Sequence, residues 1–142
     1  MSALDRNDLD VASTGVRLVE AYVIEYSVFE YLYRDSGNYK VWGAILLTGA
    51  CSKCDEAAIR ECLDAGEYFV AEQVGVPALF SELWSLSGGR TSEDHAFHEF
   101  SQLRAATFED CQRLEVSGSL AALLSAFEAA SDAWICELSP NA

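Results

Sequence analysis

Between Val16 and Arg34 the chain is dense in β-branched and aromatic residues, the types that suit a pleated, half-buried surface. Tyr22, Ile24 and Tyr26 fall on one side of a period-two pattern, and Phe29, Tyr31 and Tyr33 fall on the other. One inserted residue near Ser27 or Val28 would bring both triplets to the same side. The pattern therefore predicts a β-bulge there, or two strands with a kink. Asp35-Ser36-Gly37-Asn38 is a turn cluster, since Asp and Asn bond their own backbone and Gly tolerates positive φ. Tyr39 to Thr48 reads as the return strand, so 29–48 is a hairpin. With a four-residue loop, Tyr33 faces Lys40, Tyr31 faces Trp42 and Phe29 faces Ala44. That register gathers Phe29, Tyr31, Tyr33 and Trp42 on one face. Leu32, Val41, Gly43, Ile45 and Leu47 take the other.

The period then changes. Cys54-Asp55-Glu56 opens a helix whose positive N-terminal end the acids favour, and Ala58, Ile59, Cys62 and Leu63 form its apolar stripe. Gly66 is placed to cap it. Glu67 to Glu72 alternates as a third strand. Pro77 suits the start of a short helix that buries Leu79, Phe80, Leu83 and Trp84. The segment from Ser87 to Ser92 is a loop. His95 to Ala105 reads as a fourth strand with poor alternation, because Phe97 and Leu103 share a parity that Phe100 does not. From Ser119 to about Cys136, Leu120, Leu123, Leu124, Phe127, Trp134 and Ile135 follow the helical period. These elements predict an α+β fold: a mainly antiparallel sheet of about four strands with two to three helices packed on it. Residues 1–16 read as an N-terminal tail or short capping segment, and 17–142 as a single domain.

Composition narrows the function. Half of the 142 residues are apolar, enough for one core. Nine basic residues against 23 acidic ones give a net charge of −14. That charge repels nucleic-acid phosphates and anionic lipid, and it attracts basic proteins. No apolar run approaches the roughly 20 residues that span a bilayer, and the N-terminus lacks the basic start and apolar stretch of a signal peptide. Five cysteines cannot all pair within the chain. Together these features predict a cytoplasmic protein with free thiols.

Four constellations could carry chemistry. Cys51-Ser52-Lys53-Cys54 is a C-x-x-C, whose thiolates could share a metal ion or interchange with a disulfide. Glu93-Asp94-His95-Ala96-Phe97-His98-Glu99 is the densest titratable group, and a His beside carboxylates could act as a general base. His95 and His98 share a side of a helix but fall on opposite faces of a strand, and a strand is expected. The nucleophile elbow, the P-loop and the dinucleotide fingerprint are absent. The aromatic face of Phe29, Tyr31, Tyr33 and Trp42 is either core beneath a helix or a partner-binding patch. Glu93, Asp94 and Glu99, with Glu109, Asp110 and Glu115, could imitate a phosphate backbone or be ordinary surface acids.

The leading expectation is a small binding protein that neutralises a basic partner, such as an immunity protein to a toxin or an inhibitor of a nucleic-acid-processing enzyme. Its expected contact residues are Tyr31, Tyr33, Trp42, Glu93, Asp94 and Glu99. No catalytic residue, metal ligand or cofactor is assigned in that reading. The alternatives are a metal- or thiol-dependent enzyme centred on His95, His98 and Glu99, with Cys51 and Cys54, and a subunit of a larger homo- or hetero-assembly.

Overall fold

A computed structural model describes residues 16–19 and 22–141. The expected tail therefore lies outside the described residues, apart from Val16. Six strands are present: β1 (Val16–Val19), β2 (Tyr22–Arg34), β3 (Lys40–Thr48), β4 (Tyr68–Val70), β5 (Phe97–Ala105) and β6 (Val116–Ser119). The helices are α1 (Lys53–Cys62), α2 (Ala71–Val74), α3 (Phe80–Ser87), α4 (Phe108–Arg113) and α5 (Leu120–Ala130), with a 3₁₀ turn at Cys136–Leu138. The main strand order is β4-β5-β2-β3-β6, and β1 pairs with β2 outside that path. Every pairing is antiparallel except β3 with β6. The fold is thus α+β on a mostly antiparallel sheet, with six strands where the sequence suggested about four.

The extra strands lie in segments with weak patterns. β1 and β2 form a tight antiparallel pair, with Val19 opposite Tyr22, so the break in the first apolar segment comes well before Ser27. No bulge is needed at Ser27 or Val28, because β2 is buried on both faces. Phe29, Tyr31 and Tyr33 enter the main core. Tyr26 and Val28 join Leu46 and Ala106 on the opposite side, where Cys111 of α4 and Leu114 pack against them. A strand covered on both sides loses the simple apolar–polar alternation.

The hairpin register also differs from expectation. Tyr33 pairs with Val41, Leu32 with Trp42 and Tyr31 with Gly43. The loop has five residues, not four: Asp35 N donates to Tyr39 O at 2.9 Å, Tyr39 N donates to Asp35 Oδ1 at 2.9 Å, and Asn38 takes a left-handed φ of 69°. A one-residue change in register moves a whole strand's side chains to the other face. Val41, Gly43, Ile45 and Leu47 therefore lie on the same face as Phe29, Tyr31 and Tyr33, and Trp42 points the opposite way.

The irregular alternation in β5 has a local cause. Glu30 pairs with Gln102 and Tyr31 with Phe100, which leaves Ser101 as an extra residue. This bulge lets His98, Phe100 and Leu103 all face inward. Arg60 of α1 stabilises it: its Nη2 donates to Ser101 O at 3.0 Å, and its guanidinium lies 4.7 Å from the centre of the Phe100 ring.

The helix boundaries follow the caps. Ser52 and Asp55 form a capping box that starts α1 at Lys53. α1 stops at Cys62, and Ala65 and Gly66, both at positive φ, turn the chain toward β4. Gly66 is therefore a turn residue and not the cap of α1. The C-terminal helix is shorter than its apolar pattern suggests. It ends at Ala130, and the chain turns at Asp132, whose φ is 59°. Trp134 folds back so that its ring lies 5.9 Å from Phe127, and its Nε1 donates to Cys62 O at 3.0 Å. α4, which the sequence reading left out, begins at a second capping box made by Thr107 and Asp110. Arg104 clasps Asp110, with Nη1 to Oδ2 at 2.6 Å, and holds its carboxyl well below the usual range.

Candidate functional site

The hairpin tip and the turn before β5 meet at one end of the sheet. Ser36 N donates to Glu93 O at 2.9 Å, which ties the two loops together. The turn has its own bonds: Thr91 N to Asp94 Oδ2 at 2.8 Å, and Glu93 N to Thr91 Oγ1 at 3.1 Å. Asp94 reaches inward and accepts from Tyr33 Oη at 2.5 Å and from Trp84 Nε1 of α3 at 2.9 Å. Partial burial pushes its carboxyl up, but the bonds from Tyr33, Thr91 and Trp84 outweigh this and leave the pKa lowered. Strand, turn and helix are thus joined through one carboxylate.

A pocket of about 550 Å³ opens between these pieces. Its walls include Asp35, Tyr39 and Glu93 on the loop side, and Leu83 and Leu86 of α3 on the other. Tyr39 is 67 % exposed and Leu86 80 % exposed. Gly37 shows how close the loop side chains come. A methyl group built on it would lie 3.4 Å from Asp35 Oδ1, 3.7 Å from Tyr39 Cδ2 and 3.9 Å from Glu93 Cγ. Lys40 also lines the pocket. The volume falls within the range of ligand pockets.

The residues singled out from sequence do not form one patch. Tyr31 and Tyr33 are buried in the core. Tyr31 Oη donates to Pro77 O at 2.5 Å, and burial raises the pKa of both hydroxyls. Trp42 is 58 % exposed on the opposite face. Glu93 is exposed at the pocket, while Asp94 is turned inward. Glu99 belongs to the face that carries Trp42, where it pairs with Arg34 at 2.9 Å. In the second acidic group Asp110 is buried, and Glu109 and Glu115 are exposed.

The histidine centre does not assemble. His98 is fully buried and accepts from Leu79 N through Nε2 at 2.9 Å. Burial is the main reason its pKa falls to about 4, with repulsion from His95 adding and the Ala96 carbonyl opposing. His95 is taken up by backbone, its Nε2 bonded to Arg34 O at the end of β2 at 2.8 Å and its Nδ1 accepting from Phe97 N at 3.1 Å. Glu99 sits on the sheet face opposite His98. Cys51 packs against the main core, Cys54 is exposed, and both are free thiols. Among the described residues no group of three or more His, Cys, Asp or Glu side chains could hold a metal ion. No described helix is long and apolar enough to cross a membrane.

Tyr39, Leu86 and Asp35 did not stand out in the sequence. Asp35 reads as turn chemistry and Tyr39 as the first strand residue. Leu86 lies outside the apolar stripe of its helix, and that position is the one signal that it faces solvent.

Comparison with known proteins gives no significant match: no family model, no curated protein and no solved structure is similar to this chain.

Proposed function

We propose that this chain is a protein-binding domain that captures and blunts a basic partner at the pocket between the hairpin tip and α3. The observation that carries the reading is the pairing of two exposed anchors, Tyr39 and Leu86, with the carboxylates of Asp35 and Glu93 around one pocket. Aromatic and aliphatic anchors supply contact area, and a chain of net charge −14 supplies attraction at a distance. In this reading α1, α3 and α5 form a helical layer packed on the inner sheet face, and Asp94 keeps the pocket wall in place. Five cysteines, an odd number that cannot all pair within the chain, suit a reducing compartment, so we place the protein in the cytoplasm. A toxin or a nucleic-acid-processing enzyme is the kind of basic partner such a domain would silence.

The test is affinity capture from extracts of the source cells at low salt, with the wild type beside a Tyr39→Ala/Leu86→Ala double variant. Both positions are exposed, so the fold should survive. The expected result is a basic protein retained by the wild type and lost by the variant. Retention of the same protein by both would place the contact elsewhere, and recovery of no basic protein would end the reading.

Trp42 favours a second reading. A large ring 58 % exposed on the outer sheet face could bury itself against a second copy of the chain. Sizing chromatography of wild type and Trp42→Ala decides this, since only a Trp42-mediated dimer would be lost in the variant.

A further inference from the structure

We propose that the pocket between the hairpin tip and α3 takes an arginine side chain carried by a peptide segment of the basic partner. This rests on the pocket being the contact site, and it names the chemistry the pocket selects.

Arginine combines a planar, weakly hydrated cation with an apolar stem. The pocket offers a counterpart to each part. Leu83 and Leu86 line the side where a stem would lie. Tyr39 supplies an aromatic ring, the usual surface for a stacked guanidinium. The side chains of Asp35, Tyr39 and Glu93 converge around Gly37, so ring and carboxylates can meet one cation together. Glu93 is exposed and can accept two parallel N–H bonds from a guanidinium. Asp35 is nearly buried and already accepts from Tyr39 N through Oδ1, so its charge acts from behind the loop. Among the described lining residues Lys40 is the one cation, and it competes with the guest for these carboxylates.

The walls are also fixed before anything binds. The bonds from Ser36 to Glu93 and from Thr91 to Asp94, and the clasp of Asp94 by Tyr33 and Trp84, hold both loops against α3. A preformed pocket loses less entropy on binding than a mobile one. At about 550 Å³ it exceeds one side chain, so part of the flanking peptide enters with the anchor.

The experiment titrates the full chain with acetyl-Gly-Arg-Gly-amide, its citrulline counterpart and free agmatine, read by amide chemical-shift mapping. The expected result is saturable shifts at Gly37, Tyr39, Leu86 and Thr91 with the arginine peptide, and none with the citrulline peptide. Glu93→Gln and Tyr39→Ala should each weaken binding about fivefold, and Lys40→Met should strengthen it. Equal shifts from the citrulline peptide, shifts confined to other acidic regions, or indifference to Glu93→Gln would each overturn the proposal. Agmatine binding tighter than the peptide would overturn the peptide source. If the arginine peptide fails while partner capture still depends on Tyr39 and Leu86, the function stands and the arginine anchor falls. If the peptide binds but no basic protein is ever captured, the pocket's chemistry stands and the neutralising role falls.

Discussion

Tyr33 shows how one buried side chain can serve two purposes. Its ring sits in the core beside Phe80, His95 and His98, and its hydroxyl both donates to Asp94 and accepts from His95 N at 3.2 Å. Tyr33→Phe keeps the ring and removes both bonds, leaving a partly buried carboxylate short of a donor. We expect a loss of about 2 kcal/mol of stability, measured by urea unfolding, together with weaker partner binding because the pocket wall loosens. His98 contributes a pH dependence of definite sign. Its pKa is about 4 in the folded chain against an ordinary value of 6.5. Between these limits the unfolded chain binds more protons, so the stability this residue supports is complete above pH 6.5 and declines as pH falls toward 4, by about 3 kcal/mol in all. A His98→Gln variant, which retains an acceptor for Leu79 N, should lose that part of the slope between pH 4 and 6.5. An unchanged slope would count against a neutral buried imidazole. Little of this was legible from sequence at the residue scale. Period and composition mark Tyr33 and His98 as apolar-facing or titratable, but the bonds linking Tyr33, Asp94 and Trp84 depend on loops whose geometry no local pattern encodes.

At the scale of elements, strands and helices with a strong period were legible, and those set by tertiary contact were not. The hairpin and the helices near Ile59, Leu83 and Phe127 follow from repeats of apolar residues. The hairpin register depended on whether Tyr39 belongs to the loop, which the Asp35 hydrogen bonds decide. The bulge at Ser101 was visible only as irregular alternation, because its cause is a partner strand and an arginine from another helix. β6 and α4 are short, and what specifies them is the parallel pairing with β3 and the grip of Arg104 on Asp110. The new register gives Gly43 a role. It pairs with Tyr31 and lies under the start of α3, and a Cβ there would be 2.8 Å from both methyl carbons of Leu79. Gly43→Ala should therefore displace Leu79 and the start of α3 and cost about 1–3 kcal/mol. A fall in thermal midpoint accompanied by weaker pocket binding is the expected result. A variant as stable as wild type would show that Leu79 moves aside freely.

At the scale of the whole molecule, net charge is the property read most directly from sequence, but its arrangement is not. Asp94, Glu99 and Asp110 are engaged in bonds within the chain, so a basic partner of the kind proposed would meet Glu93, Glu109 and Glu115 more directly. Salt separates the two modes of association proposed above. Screening weakens attraction between this chain and a basic protein, and it relieves repulsion between two copies that each carry −14. Stopped-flow association with a captured partner should slow as salt rises from 50 to about 500 mM, while any self-association through Trp42 should strengthen over the same range. A partner on-rate independent of salt would remove charge steering from the picture. The borders of the sheet bear on how other chains can approach it at all. The main path ends in β4, with three residues, and β6, with four, and β1 is equally short. Backbone left without a neighbouring strand is what invites foreign chains to extend a sheet into fibres. β4 and β6 each offer an intruding strand few rungs, and beyond β4 the side chains of Arg60 and Glu56 already occupy Ser101 O and Leu103 N of β5, so foreign backbone finds that border largely taken.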